Sequence, residues 1–262
     1  MPGLFIGCSG FSYPHWRGSF YPADLPLKRW FEHYCASFRS IELNVTFYRL
    51  QKPETYNHWR LASPDGFTFA AKGSRFITHI KRLADPESAL ARFFDGALLL
   101  GDKLRVVLWQ LPPGFARSLS RLERFLALLE RYPVRHALEF RHESWCCEEV
   151  FALCRNRRVA VCMADWPLFS AGIPRTTDFV YIRRHGQGGS YSGCYSPAEL
   201  AADAATIRGF LEKGSDVYLY FNNDAGGCAP ANAAELARLL DRGTPAAGDC
   251  WCTAGENSHE QT

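Results

Sequence analysis

The chain has 262 residues, 47% of them hydrophobic and 22% charged, with 30 Lys plus Arg against 27 Asp plus Glu. That is ordinary globular composition and excludes an intrinsically disordered chain. A formal charge of +3 is too small to argue for nucleic acid or an anionic membrane by itself, and the length suits one large barrel or two ordinary domains.

Short apolar or β-branched runs alternate with longer helix-period segments. The predicted strands are Leu4–Ser9, Ser40–Phe47, Phe67–Lys72, Arg105–Leu111, His136–Arg141, Ala160–Asp165, Phe179–His185 and Asp216–Asn223. Helices are expected over Leu27–Phe38, Pro53–Ala62, Pro86–Leu100, Ser118–Arg131, Trp145–Arg157, Pro197–Glu212 and Pro230–Arg242. Several open on Ser or Pro, residues suited to a helix start. Between Trp166 and Asp178, two prolines and small residues predict an irregular loop in place of the helix after strand six. Repeated strand–helix alternation is the pattern of parallel βαβ units. The fold expected is therefore α/β, a single (β/α)8 TIM-type barrel over residues 1–242, with a loosely held tail over 243–262. A doubly wound sheet is disfavoured, because Gly7-Cys-Ser-Gly10 lacks the spacing of a dinucleotide-binding turn.

No run reaches the ~18 apolar residues a membrane helix needs. The first residues lack a basic segment ahead of their apolar run, so they read as a strand, and a cytoplasmic location is expected. None of the ten cysteines forms Cys-x-x-Cys, and most lie in apolar segments. Reduced, structural thiols are the expectation. Cys250 and Cys252 form a tight pair in the tail, with no second ligand pair near enough for zinc.

In a parallel barrel the reactive groups sit at the C-terminal ends of the strands. Period-two geometry puts Glu42 with Asn44, Glu139 with Arg141, and Arg183 with His185 on one face, while the intervening residues are apolar. Lys72, Gln110, Asp165 and Asn222 end other strands. The polar set therefore points into the barrel near its mouth. One explanation is structural: Glu42, Glu139 and Asp165 neutralise Lys72, Arg141 and Arg183. The other is a site. In that reading Glu139 and Asp165 transfer protons, or join His185 in holding a divalent metal. Lys72 binds an anion or attacks a carbonyl, and His185 serves either purpose. Arg141 and Arg183 suit an anionic group, Glu42, Asn44, Gln110 and Asn222 orient hydroxyls, and Tyr13 and Trp16 line the pocket. A glycosidase would want a carboxylate where Gln110 stands.

These residues fall in segments that resemble the YecE-like family, a family of unknown function with a TIM-barrel-type fold. The matching segments include Ile6-Gly-Cys-Ser-Gly10, Trp16-Arg-Gly18, Glu42-Leu-Asn-Val-Thr-Phe-Tyr48 and Phe69-Ala-Ala-Lys72 with Thr78-His79. Further on come Gln110-Leu-Pro-Pro113, Glu139-Phe-Arg-His-Glu-Ser-Trp145, Val180-Tyr-Ile-Arg183 with His185-Gly186, Tyr191-Ser-Gly193 and Tyr218-Leu-Tyr-Phe-Asn-Asn-Asp224. Cys8 departs from the threonine more usual there. The resemblance implies a fold and a site location and supplies no reaction.

The functional expectation is an enzyme (hydrolase, isomerase or lyase) acting on a small polar or anionic, sugar- or phosphate-like substrate by acid/base or metal-assisted chemistry. A nucleic-acid-binding protein is the first alternative, with Lys72, Arg75, Lys81, Arg82, Arg141, Arg183 and Arg184 as its footprint. A non-catalytic metabolite sensor or scaffold is the second.

Overall fold

The computed structural model of the protein describes residues 2–166 and 172–241. Among them run nine parallel strands: β1 (Leu4–Ser9), β2 (Ser40–Leu43), β3 (Thr68–Lys72), β4 (Leu104–Gln110), β5 (Arg135–Glu139), β6 (Ala160–Val161), β7 (Met163–Ala164), β8 (Phe179–Arg184) and β9 (Asp216–Phe221). Their order is β6-β5-β4-β3-β2-β1-β9-β8-β7. Only Cys162 separates β6 from β7, so the expected sixth strand is present but broken. Its first half pairs with β5 and its second with β8, which brings the sheet round into a nearly closed barrel.

The surrounding helices are α1 (Trp30–Ser37), α2 (Val45–Tyr48), α3 (Pro53–Ala62), α4 (Glu87–Ala97), α5 (Leu119–Leu129), α6 (Glu148–Asn156), α7 (Pro197–Glu212) and α8 (Cys228–Leu240). Local sequence explains their limits. Pro53 opens α3, and Ser196 with Glu199 forms a reciprocal capping box that fixes the start of α7. Leu122, Phe125, Leu126 and Leu129 recur at helical spacing on α5 and are all buried. Residues 172–178 carry no helix, as expected of that loop, and the tail with Cys250 and Cys252 lies outside the described residues.

One element differs in kind. The strand expected over Ser40–Phe47 stops at Leu43, and Val45–Tyr48 makes a single helical turn. The Thr46 hydroxyl donates to the carbonyls of Leu43 and Lys72, both at 2.7 Å. A side chain that binds strand carbonyls in this way offers the backbone an alternative to the ladder.

The strands have two buried faces. Outward residues such as Ile182, Leu219 and Val107 join the helices in the main core. Inward residues form a second cluster, and it is asymmetric: Ala70, Ala137, Ala160 and Ala164 on one side face Phe179, Tyr181, Tyr218 and Tyr220 of β8 and β9. The buried tyrosine hydroxyls are bonded, Tyr181 to Glu42 at 2.6 Å and Tyr220 to Ser40 at 2.7 Å. Gly7 makes room for a third. The Tyr34 hydroxyl reaches from α1 between β1 and β2, accepting from Cys8 N–H and donating to Ser40 O. A Cβ on Gly7 would lie 2.0 Å from that carbonyl oxygen and 2.9 Å from the hydroxyl. Gly7→Ala is expected to destabilise the protein by about 2–3 kcal/mol in urea unfolding, the upper range for overpacking. An unchanged midpoint would show that the strands separate without strain.

Candidate functional site

The inward side chains at the C-terminal ends of the strands form two layers. The deeper is an ion-paired plate. Arg183 is fully buried and bridges two buried carboxylates: Nη2 donates to Glu42 Oε1 at 2.8 Å and Nη1 to Glu139 Oε2 at 2.7 Å. Ser9 also donates to Glu42 Oε1, and Arg141 Nε donates to Glu139 Oε1 at 2.7 Å. Burial alone would raise both carboxyl pKa values. The Arg183 charge, aided by Lys72 at Glu42 and by Arg141 at Glu139, reverses that and holds Glu139 well below the ordinary carboxylate range. Both glutamates are held as anions at neutral pH, with their oxygens occupied.

The upper layer faces the mouth. Lys72 ends β3 and is buried, yet among the described residues its amine makes no hydrogen bond or ion pair. It rests 4.4 Å from the centre of the Phe47 ring. Burial and the Arg183 charge lower its pKa to about 7, with Glu139 and Glu42 pulling partly the other way. The Gln110 side chain, in register with Glu139, likewise has no partner among the described residues. His185 is buried beside the plate. Its Nδ1 accepts from Asn222 Nδ2 at 3.1 Å, and its Nε2 lies 3.4 Å from Glu139 Oε1. Burial and Arg183 lower its pKa, so the imidazole is neutral.

Arg141 closes this layer. Nη1 donates to the Tyr191 hydroxyl at 2.6 Å, and the guanidinium lies 4.3 Å from the Trp166 ring centre. Tyr191 is held there by a tethered loop. Its own backbone is left-handed at φ 60°, and a Cβ at Gly186 would lie 2.1 Å from Ser192 O. Beyond Tyr191, Cys194 is disulfide-bonded to Cys228 at the start of α8. The Tyr195 backbone and the Asn223 side chain both bond Asn232, also on α8. The expectation that every cysteine is a free thiol therefore fails at this pair, because the loop and α8 bring the two Cα atoms to 5.0 Å.

The same geometry places the other expected residues. Glu139 and Asp165 both have their carboxylate oxygens in protein hydrogen bonds. Asp165 Oδ1 accepts from the His185 backbone N–H at 2.7 Å and Oδ2 from the Tyr195 hydroxyl, so it fixes the end of β8. The set Glu139, Asp165 and His185 does not fit a metal, since their donor atoms are committed to protein partners. Among the described residues no group of three His, Cys, Asp or Glu side chains is arranged to hold an ion. Trp16 is fully buried, with its indole N–H on Asp224 O at 3.0 Å. Tyr13 donates to Ser9 O at 2.6 Å and is half-buried. Glu42 and Arg183 belong to the plate and are fully buried. In the nucleic-acid footprint, Arg184 is paired with Asp203 and Arg183 is inaccessible, so neither contributes.

Asn44, Gln110, Asn222, Lys72, Arg141 and His185 remain. Asn44 bonds Ser9 O through Nδ2, while its buried Oδ1 has no partner among the described residues; nor has Arg183 Nε. Two further residues at the mouth went unassigned. Ser9 ends β1 on the inward face, where its hydroxyl meets Glu42 and Arg183; a lone serine carries no signal in the sequence. His79 lies on the π-helical turn Phe76–Ile80 after β3, with its ring 4.9 Å from Phe47. Burial together with the Lys72, Arg75 and Arg141 charges lowers its pKa to about 4. The pair Thr78-His79 was visible in the sequence, but its turn was not.

A cavity of about 740 Å³ lies at the other end of the barrel, between the first residues of β4, β5 and β8. It does not mark the site. Its buried histidine, His136, is already bonded at both ring nitrogens, and parallel barrels place reactive groups at the opposite end.

Known proteins share this arrangement of chain. The protein UPF0759 YunF of Bacillus subtilis is 25% identical over 91% of this chain and 95% of its own. UPF0759 YecE of Escherichia coli K12 is 29% identical over 54% of this chain and 50% of its own. A solved DUF72 family protein from Thermotoga maritima superposes with a TM-score of 0.79 at 29% identity, covering 91% of this chain and 99% of that one. A family model described as a protein of unknown function, DUF72, matches residues 5–250, and the chain belongs to that family.

Proposed function

We propose that the protein is an enzyme acting on small anionic, hydroxyl-bearing carbonyl compounds at the C-terminal mouth of the barrel, with Lys72 as the group that takes up a proton. The observation that carries this is the Lys72 amine. It is buried at the mouth without an ion-pair partner, although two buried glutamates stand beneath it. An ordinary structural lysine would be paired. An amine whose pKa is near 7 is a base matched to neutral pH. The Tyr191 hydroxyl occupies the place on Arg141 Nη1 that a substrate oxygen would take, and Asn44 Oδ1 and the Gln110 amide have bonding capacity left for hydroxyls. Glu42, Glu139 and Arg183 act as fixed charges below. Proton removal next to a carbonyl is the first step of an isomerase or a lyase, and no metal is invoked.

The test is solvent exchange. Phosphorylated aldoses and ketoses are incubated with the protein in D2O, and loss of the C–H signal beside the carbonyl is followed by NMR. Wild type is expected to catalyse exchange on at least one of them, and Lys72→Met to reduce it by about 10²–10⁴-fold, the usual worth of a positioned base. Equal exchange by wild type and Lys72→Met would remove Lys72 from the reaction. Saturable binding without exchange would leave a metabolite sensor.

A further inference from the structure

We infer that the rim formed by residues 45–52 and 73–84 is a binding surface for single-stranded nucleic acid. The inference does not rest on proton transfer by Lys72, because it uses exposed residues outside the mouth. The two segments lie side by side: Phe47 of α2 touches both the His79 ring and the Lys72 amine, and Thr46 bonds Lys72 O. Together they carry five cations, Arg49, Lys52, Arg75, Lys81 and Arg82, and no Asp or Glu. None of the five side chains makes an ion pair or hydrogen bond among the described residues. By contrast, the basic groups of the plate and of β8 are all paired. A net charge of +3 over the whole chain averages this concentration away.

Apolar groups are interleaved with these charges. Tyr48 is 67% exposed and Phe76 40%, with Leu50 at 46% and Ile80 at 62%. Lys81 Nζ lies 5.9 Å from the Phe76 ring centre. In the chain they alternate as Tyr48-Arg49-Leu50-Gln51-Lys52 and as Arg75-Phe76 followed by Ile80-Lys81-Arg82. Exposed rings between unpaired cations are what a single strand needs, since its bases stack on aromatic faces while its phosphates meet the charges. A second copy of the chain would oppose five cations with five, which disfavours self-association. The backbone that presents them is constrained: a π-helical turn is followed by left-handed residues Arg82 (φ 47°) and Leu83 (φ 64°). Conformations of that kind in non-glycine residues persist where the surroundings impose them and gather at functional sites.

The experiment is fluorescence anisotropy of the whole protein with fluorescein-labelled twelve-nucleotide strands of uridine and of thymidine, repeated over a range of salt. The expected result is binding to one or both strands that exceeds binding to a duplex of equal length. The plot of log affinity against log salt should have a slope of about −2 to −3.5, since each phosphate contact with a single strand contributes about −0.7. Arg75→Ser with Lys81→Ser should flatten it by about 1.4. Tyr48→Ala and Phe76→Ala should each weaken binding by roughly 5- to 100-fold, as lost stacking does, with the slope unchanged. Circular dichroism checks that these surface variants fold, and Lys72→Met should bind as wild type does. Absence of binding at 50 mM salt would overturn the inference. So would equal affinity for polyphosphate that Tyr48→Ala and Phe76→Ala do not alter, or cosedimentation with phosphatidylserine vesicles that the strands fail to compete.

Discussion

Arg183→Met is expected to lower the stability of the protein by about 3–5 kcal/mol, read as a fall in the midpoint of urea unfolding. The size follows from what remains. Glu42 and Glu139 are both buried and both ionised, and Arg183 is the only side chain that binds the two of them among the described residues. Methionine replaces the stem of the arginine but leaves two carboxylates without their shared counter-charge. Each must then protonate or draw in water, and either costs free energy. A triple variant that adds Glu42→Gln and Glu139→Gln should recover much of the loss, because the penalty belongs to the uncompensated charges and not to the missing contacts. A loss below about 1 kcal/mol for Arg183→Met alone would show that solvent reaches the plate and screens it.

The second large effect concerns pH. Stability should rise between pH 7 and about 9 in wild type, and the rise should be absent in Lys72→Met. The direction follows from the two states of the amine. In the unfolded chain Lys72 keeps its proton up to an ordinary lysine pKa near 10.4. In the folded protein burial and Arg183 lower the pKa to about 7. Above pH 7 the unfolded state therefore binds a proton that the folded state has released, so raising the pH favours folding, by up to about 1.4 kcal/mol per pH unit. Below pH 7 both states are protonated and the folded state bears the cost of a buried cation. Near pH 9 the window closes, as buried thiols such as Cys8 and Cys154, with pKa values raised by burial, begin to ionise only in the unfolded chain. Parallel curves for wild type and Lys72→Met across this range would mean that the amine stays charged, and the proposed base would be lost with it.

The barrel was legible in the sequence because each strand alternates faces and each helix has its own period. Phe179, Tyr181 and Arg183 against Val180 and Ile182 is such a pattern, and so is Leu122, Phe125, Leu126 and Leu129. The placement of polar groups at one end followed from the same alternation. What alternation does not encode is partnership across the barrel. Glu42 and Glu139 look alike at the ends of β2 and β5, and both were candidates for contact with substrate. Only the closed ring shows Arg183 lying between them. The Asp165 contact is hidden for a related reason: its partner Tyr195 is thirty residues away in a loop with no periodic signal. Lys72 is visible in the sequence as a strand-end lysine, but that it has no partner among the described residues is a property of the folded ring alone.

The break in the sixth strand has a mechanical consequence. Its halves, β6 and β7, contribute two residues each to the ladders that close the barrel, whereas β8 and β9 are bonded along six positions. The ring therefore has a seam, and the residues just beyond it roof the mouth: Asp165 holds the His185 backbone, and Trp166 covers Arg141. The plate crosses this same seam, because Arg183 of β8 binds Glu139 of β5 on its far side at 2.7 Å. Where the ladder is thinnest, the barrel is therefore closed by a buried ion pair as well as by backbone bonds.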